Sequence, residues 1–299
     1  TKRYLSDQLR SSAYIGTFTE VLSRASQNCK TALKDWKIVD LGGGTGLQSL
    51  LALESGVGFV VYSDIYDISA ADAATLADVL ELPLHQIFVG DTDTLVRELN
   101  ESSVDIDCVL SYDVIEHIYD VASHFERMSL LQNEKTKLFY ASGANAANPR
   151  YVRQVRKLQL QVENETRSAQ WGHKDRDSLQ AYLEIRRNMI ARSAPDLSPA
   201  VVNELASRSR GLTLNDTQAL VIDPYLAGLP TYAPRHPTNT CDPLTGNWCE
   251  QLLDFDWIIS TASDAGFEAK ISAGKYAMSG TFAADSVRRM LNVGSSLLG

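Results

Sequence analysis

The sequence is poor in cysteine, in long apolar runs and in positive charge. Four cysteines in 299 residues are too few for a disulfide scaffold, which predicts a reduced, cytoplasmic setting. No apolar run approaches the roughly 20 residues that cross a bilayer, so we expect no membrane partner. Lys and Arg total 28 against 37 Asp and Glu, a net charge of −9. Phosphate backbones attract the opposite sign, so we expect no nucleic-acid partner.

Metal-ligand spacing is also missing. Cys241 and Cys249 lie eight positions apart, with His173 and His236 elsewhere in the same part of the chain, and this matches no compact zinc pattern. We therefore expect no metal. The hydrophobic content of 44% is ordinary for a soluble protein. The length allows one large domain, or a domain with a sizeable insertion, and an ample core.

Glycine is concentrated in one place, the stretch VDLGGGTG at 39–46. The preceding residues 36–41 have the apolar, β-branched character of a buried parallel strand, and 45–55 has the pattern of a helix. Glycine permits positive φ and lets a ligand approach the backbone, while a helix N-terminus attracts anions. The dinucleotide fingerprint G-x-G-x-x-G would place its third glycine at Leu47. A nicotinamide or flavin site and a plain tight turn remain alternatives.

The spacing Asp40-x-Gly42-x-Gly44-x-Gly46 resembles motif I of the class I S-adenosylmethionine (SAM) methyltransferases. The resemblance covers roughly 25–145 and 252–285. It implies an α/β fold with a Rossmann-like, seven-stranded, mostly parallel sheet. It also implies SAM as cofactor and S-adenosylhomocysteine (SAH) as product, with the turn holding the amino-acid half of SAM through Asp40, Gly42, Gly43, Gly44 and Gly46.

Two further strand ends complete the nucleoside site that the resemblance implies. The second predicted strand, 59–65, carries Asp64, and an acid there accepts hydrogen bonds from ribose hydroxyls; Ile65 follows it. A short strand over 87–89 precedes Asp91 and Thr92, which the resemblance places against the adenine. Asp64 as a turn or capping residue, and Asp91 as the cap of a helix over 92–99, are the alternatives.

The fourth predicted strand, within 105–118, ends in SYDVIEHI. This resembles the segment that many small-molecule methyltransferases carry beneath the sulfonium. The resemblance implies that Ser111 and Tyr112 line the cofactor floor and that Tyr14 folds over its methionine end. Tyr112, His117 and His236 are candidate acid–base residues. Structural roles for His117 and Tyr14 remain open.

The fifth predicted strand, 137–143, is followed by an insertion over 146–250, which is longer than a crossover requires. Its patterns predict helices over 151–165, 177–191, 198–211 and 215–222. The core then resumes with a helix and a hairpin within 255–278. We therefore expect a core of 1–145 and 251–299, with N-terminal cap helices near 4–30, and a helical insertion covering the C-terminal strand ends as a substrate cap.

The insertion carries 13 Lys and Arg against 11 Asp and Glu, whereas the remainder carries 15 against 26. This balance favours an anionic acceptor, although solvated arginines would give the same pattern. The proline-rich loop 230–250 has the composition of a recognition lid or of a packed surface loop. The candidate substrate-binding residues are Arg153, His173, Arg235, His236, Asn247 and Trp248.

The resemblance implies methyl transfer by in-line displacement to a small molecule, O- or N-directed. Such chemistry asks the protein for proximity and water exclusion, and for a base only where the acceptor must lose a proton. A non-catalytic binding protein of the same fold and a nucleotide-cofactor oxidoreductase are the alternatives. The sequence leaves the oligomeric state undetermined, with a homodimer among the options.

Overall fold

The computed structural model describes residues 12–29, 31–131, 133–169, 176–272 and 274. These residues form two compact units. Unit 1 comprises the described residues within 1–115, 122–142 and 259–299, and unit 2 comprises 116–121 and 143–258. Residues 146–250, the predicted insertion, belong to unit 2, which also contains 116–121, 143–145 and 251–258.

Unit 1 is built on a five-stranded, wholly parallel sheet with the order β3-β2-β1-β4-β5. Its strands are β1 (Lys37–Leu41), β2 (Phe59–Asp64), β3 (Gln86–Val89), β4 (Cys108–Tyr112) and β5 (Lys137–Ala141). The strand order reverses between β1 and β4, and open α/β sheets bind ligands at the carboxyl ends of the strands at such a switch point. The α/β, Rossmann-like prediction is confirmed.

The strand side chains are apolar on both faces of the sheet, because helices pack against each face. Alternate β1 residues point to opposite sides: Ile38 packs with Trp36 and Leu22 on one face, whereas Val39 packs with Leu95 and Leu99 on the other. This double burial explains why the strands have nearly continuous apolar sequences. The helices of unit 1 are α1 (Ser12–Asn28), α2 (Leu47–Glu54), α3 (Asp67–Val79), α4 (Thr92–Ser102), α5 (Val121–Met128, beginning at the last residue of 116–121) and α11 (Phe255–Asp264, beginning in unit 2).

The prediction of seven strands is wrong for the part of the chain that the structure describes, which contains five. Residues 267–272, expected to start a hairpin, are irregular, and the rest of that hairpin lies outside the described residues. The fourth strand is also shorter than predicted. It ends at Tyr112, and Asp113 turns the chain with a φ of +53° into a single 3-10 turn, Ile115–His117.

Unit 2 is mainly helical, and its helix α8 (Pro199–Arg208) starts where the sequence predicts. Ser198 caps α8 by accepting a hydrogen bond from Val201 N–H, with a proline at the first helical position. The predicted start at Asp177 is wrong: that helix begins at Tyr182, because the Asp177 carboxylate instead accepts two hydrogen bonds from Asn247. The helices are α6 (Pro149–Asn164), α7 (Tyr182–Ser193), α8 (Pro199–Arg208), α9 (Leu214–Thr217) and α10 (Asp223–Leu226), with a π-helical turn over Gln218–Ile222.

Candidate functional site

The glycine-rich turn connects β1 to α2 at the switch point of the sheet. Gly42, Gly44 and Gly46 have φ values of +69°, +54° and +78°, a region that side chains with a Cβ rarely enter. The N–H groups of Gly42 and Gly43 donate to the carbonyl of Ser63, at 2.7 and 3.1 Å. The turn is thus anchored to β2, and its shape requires glycine.

The four glycines differ in what a side chain would meet. For three of them a Cβ would collide with the protein itself: at Gly42 with Val114 Cγ2 (2.3 Å), at Gly43 with Tyr62 Cε2 (2.5 Å), and at Gly46 with Ala73 Cβ (2.7 Å). At Gly44 no heavy atom lies within 4 Å of the Cβ position. Packing therefore explains three glycines, whereas Gly44 borders open space that a ligand can enter.

Asp40 lies beneath the turn and is 2% exposed. Its carboxylate accepts hydrogen bonds from Gln48 Nε2 (3.0 Å) and from Ser49 Oγ (2.6 Å), which joins β1 to α2. Burial raises the pKa of Asp40 to about 6, against the lowering effect of the Ser49 hydrogen bond. Direct cofactor contact by Asp40 stays a prediction, and the contacts in the structure show that it holds the turn's helix.

Asp64 ends β2 beside the turn and is 7% exposed. One carboxylate oxygen accepts from Gly44 N–H and the other from Tyr66 N–H, both at 2.9 Å. A carboxylate at this strand end is the kind of group that accepts hydrogen bonds from ribose hydroxyls. Ile65 follows, 44% exposed, and offers an apolar surface next to the acid.

Tyr62 supports the same turn from below. It is fully buried, and its hydroxyl donates to the carbonyl of Gly44 at 2.6 Å. Burial raises its pKa further above the ordinary tyrosine range. Gly44 is thus held on both sides, by Tyr62 at its carbonyl and by Asp64 at its N–H, so the position facing open space is also rigidly placed.

Asp91 caps α4. Its Oδ1 accepts from Thr94 N–H at 3.0 Å, and this bond lowers the pKa of the exposed carboxyl. Thr92 Oγ1 lies 2.7 Å from His124 Nδ1, and His124 Nε2 lies 2.7 Å from the Tyr140 hydroxyl. Burial lowers the pKa of His124 to about 4, so this chain of three polar groups is neutral at pH 7. The capping role is present, and an adenine contact stays a prediction.

At the end of β4, Ser111 is buried and donates its hydroxyl to the carbonyl of Leu41 at 3.1 Å. Tyr112 packs edge-to-face against Phe18, with centroids 5.3 Å apart, and against Tyr14 at 6.4 Å. Helix α1 therefore brings an aromatic pair onto the residue that follows the buried part of β4. Both Tyr14 and Tyr112 are half-buried.

His117 belongs to unit 2 and has a defined orientation there. Its Nδ1 lies 2.8 Å from the carbonyl oxygen of Trp248, and its Nε2 lies 3.6 Å from Glu250 Oε1. A carbonyl only accepts, so Nδ1 carries a hydrogen, while Nε2 faces the Glu250 carboxylate. Glu250 in turn accepts from the Tyr151 hydroxyl at 3.1 Å and has a φ of +51°.

The predicted substrate residues are spread over unit 2. Trp248 is 9% exposed, and its indole N–H donates to the carbonyl of Tyr119 at 3.0 Å. Asn247 donates to Asp177, as described above. These two side chains hold the loop internally, so substrate contact by them stays a prediction. Arg153 and Arg235 are exposed, and His173 lies outside the described residues.

His236, the third acid–base candidate, is used by its own loop. Its Nδ1 accepts from the N–H groups of Thr238 (3.2 Å) and Asn239 (3.0 Å). Burial, followed by the charges of Arg156 and Arg210, lowers the pKa of the His236 ring. The ring is therefore neutral at pH 7, with its hydrogen on Nε2.

Sequence reasoning missed the supporting residues of both units. In unit 1, Tyr62 bonds Gly44 and His124 contacts Thr92, and these partners are 18 and 32 positions apart in the chain. In unit 2, Glu250 lies beside His117 from 133 positions away, and Tyr151 in turn bonds Glu250. No motif links such pairs. Within the described residues no helix has both the length and the apolar character for a bilayer crossing, and no cluster of His, Cys, Asp and Glu there is arranged to hold a metal ion.

Comparisons with known proteins give structural likeness only. No protein-family model matches the chain, and no curated protein matches its sequence. Among solved structures, a putative sarcosine dimethylglycine methyltransferase from Galdieria sulphuraria is 17% identical over 40% of this chain and 43% of its own, with a TM-score of 0.35.

Two further structures match to a similar degree. Magnesium protoporphyrin IX methyltransferase from Synechocystis PCC 6803, solved with bound SAH, is 20% identical over 40% of this chain and 53% of its own, with a TM-score of 0.32. Geranyl diphosphate C-methyltransferase from Streptomyces coelicolor A3(2) is 16% identical over 37% and 40%, with a TM-score of 0.30. The chain thus spans about half or less of the length of these structures, and the likeness concerns the fold.

Proposed function

We propose that the protein is a SAM-dependent methyltransferase acting on a small molecule. The observation that carries the proposal is the Gly44 position. It has left-handed backbone, faces open space, and is hydrogen-bonded through its N–H to the strand-end acid Asp64. The turn lies at the switch point of the sheet, the place where open α/β folds bind nucleotide-containing ligands.

The residue types at the glycine-rich turn and at the following strand ends suit the chemical groups of SAM. Gly44 would let the amino-acid half lie against the backbone, and the Asp64 carboxylate would accept hydrogen bonds from the ribose hydroxyls. Ile65 offers an apolar surface for the adenine, and the Asp91 carboxylate can accept a hydrogen bond from the adenine amino group. When bound, SAM supplies a methyl group on a positively charged sulfur. The chain's part is to orient donor and acceptor and to exclude water, with Tyr14, Ser111 and Tyr112 as the residues beside the methyl-bearing end.

The two alternatives make different demands on the turn. A dinucleotide oxidoreductase needs a third glycine at the position of Leu47, which is buried at the start of α2. A non-catalytic binding protein would keep the turn without needing an acceptor base. Isothermal titration calorimetry with SAM, SAH and NAD distinguishes the oxidoreductase from the methyltransferase. Binding of NAD alone would refute the methyltransferase proposal.

Asp64→Asn is the variant that tests the cofactor site. It keeps the side-chain shape but loses one negative charge and one acceptor, so we expect SAH affinity to fall by about 10-fold or more. Asp67→Asn is the matched control: it makes the same change three residues on, at an exposed position in the first turn of α3. Equal SAH affinity in both variants contradicts the assignment of Asp64.

For the acceptor, we propose His117 as the proton-accepting group. The Trp248 carbonyl fixes the ring through Nδ1, and the Glu250 carboxylate beside Nε2 would stabilise the imidazolium that forms when the ring takes up a proton. This suits an O- or N-directed transfer in which the acceptor loses a proton. In a panel of small-molecule acceptors with methyl-labelled SAM, His117→Gln should lower turnover while leaving SAH affinity unchanged. Wild-type turnover in the variant contradicts this role, and failure of the whole panel despite SAH binding favours a protein or polymer acceptor.

A further inference from the structure

Unit 2 contains a group of cations around one histidine ring. Arg210 Nη2 donates to the carbonyl of His236 at 3.2 Å. The Tyr232 hydroxyl in turn donates to the carbonyl of Arg210 at 3.5 Å. The ring of His236 is fixed by the two N–H groups that its Nδ1 accepts, so Nε2–H is a donor with a defined direction.

Helix α6 contributes a second cation. Gln159 on this helix donates to Asn239 Oδ1 at 3.0 Å, and Asn239 is one of the residues bonded to His236. Arg156 is three positions before Gln159 and therefore lies on the same side of the helix, one turn away. Arg156 is exposed, and its charge acts on the His236 ring together with that of Arg210.

These cations have no counter-ion of their own. Within the described residues, Arg156, Arg210 and Arg235 form no ion pair with a carboxylate. Arg186, whose charge together with those of Arg235 and Arg210 acts to lower the pKa of Tyr232, is by contrast buried and paired with Glu163. The two charges that lower the pKa of His236, those of Arg156 and Arg210, are both positive. Among the described residues, the enclosed Nε of Arg210 has no hydrogen-bond partner.

Like charges held together without a counter-ion raise the free energy of the folded state, and an anion at the same place lowers it. We infer that Arg210, His236 and Arg156 form a binding site for the carboxylate or phosphate group of a small molecule. Guanidinium groups match both groups in shape, through paired N–H donors, and the imidazole supplies a third donor. The net charge of −9 disfavours a nucleic acid as the source of the phosphate.

The site itself lies wholly within unit 2, so it stands without the cofactor proposal. Its use for the methyl acceptor rests on the proposed function. The two fail separately: loss of SAH binding with anion binding intact would refute only the proposed function, and the reverse would refute only the anion site.

The test is calorimetric titration of the full chain with inorganic phosphate and, in a second arm, with succinate. Sodium chloride at equal ionic strength is the reference. We expect saturable binding in at least one arm and none with chloride. The arm that binds more tightly identifies phosphate or carboxylate as the preferred group. Equal, non-saturating responses to all three salts overturn the inference.

Arg156→Gln is the main variant because Arg156 is exposed, so we expect its replacement to leave the fold intact. We expect anion affinity to fall about tenfold or more, the effect of losing a charged hydrogen bond. Lys157→Gln is the control, with the same charge change at the next position of α6. Arg210→Gln should reduce affinity at least as much, with circular dichroism to confirm folding. Equal losses in Arg156→Gln and Lys157→Gln would show a general charge effect and refute the site.

Discussion

Replacing Gly44 by alanine separates ligand binding from folding better than any other change in the turn. At Gly42 and Gly46 an added methyl group would lie 2.3 and 2.7 Å from protein atoms, whereas at Gly44 it meets nothing within 4 Å. The hydrogen bonds of Gly44, from its N–H to Asp64 and to its carbonyl from Tyr62, do not involve the new methyl. The variant should therefore fold with the turn in place and with a methyl group in the space left for a ligand.

The size of both effects follows from the backbone angle. At a φ of +54° alanine costs roughly 1–2 kcal/mol relative to glycine, a fall in Tm of roughly 2–8 °C. In the parent protein, SAH at 100 times its Kd should raise stability by about 2.7 kcal/mol. In Gly44→Ala this rise should disappear, because the methyl group occupies the place of the amino-acid half.

Gly56→Ala is the matched control. Gly56 follows α2 in the same unit, has a φ of +90° and likewise meets no atom within 4 Å, so its backbone cost is at least as large. Thermal unfolding with and without SAH, with calorimetry for Kd, compares the two. Gly56→Ala should lose stability and keep its full response to SAH. The reasoning is refuted if Gly44→Ala binds SAH as tightly as the parent, or if both variants lose binding together.

Three further predictions concern stability. Because burial raises the pKa of Asp40 to about 6, its protonated form stabilises the fold below pH 4, and that contribution is lost as the pH rises through 6. In urea unfolding between pH 4 and 7.5, Asp40→Asn should therefore gain about 3 kcal/mol relative to the parent, and a constant difference would contradict the raised pKa. Asp91→Ala removes a helix cap and should lower the free energy of unfolding by about 1 kcal/mol at pH 7. Since the pKa of Asp91 is lowered, that loss should shrink only as the pH falls through the acidic range, and a loss independent of pH down to 3 argues against a carboxylate cap. Arg186→Met leaves the buried Glu163 unpaired and should cost about 3–5 kcal/mol in denaturant unfolding; adding Glu163→Gln should recover part of this, and no recovery would contradict the pairing.

The apolar strand runs, the helical periodicity and the turn chemistry predicted the local structure well. The strand before Gly42, the helix after Gly46 and the cap at Ser198 depend on residues within about four positions of each other, so the sequence contains their full signal. The order of the strands was available only through the resemblance to a family. The strand count failed at 267–272, where the sequence has strand character but no strand forms in the described structure.

What the sequence by itself determined is the strand–glycine turn–helix unit and the acids that follow the next two strands. Only the tertiary structure decided how each polar group is used. Asp40 turned out to hold α2, Asp64 to bond the turn itself, and Arg210 to donate to the carbonyl of His236. The reason is physical: a hydrogen bond or charge pair between residues distant in the chain forms only where packing brings them together. The local sequence around either residue does not predict that contact.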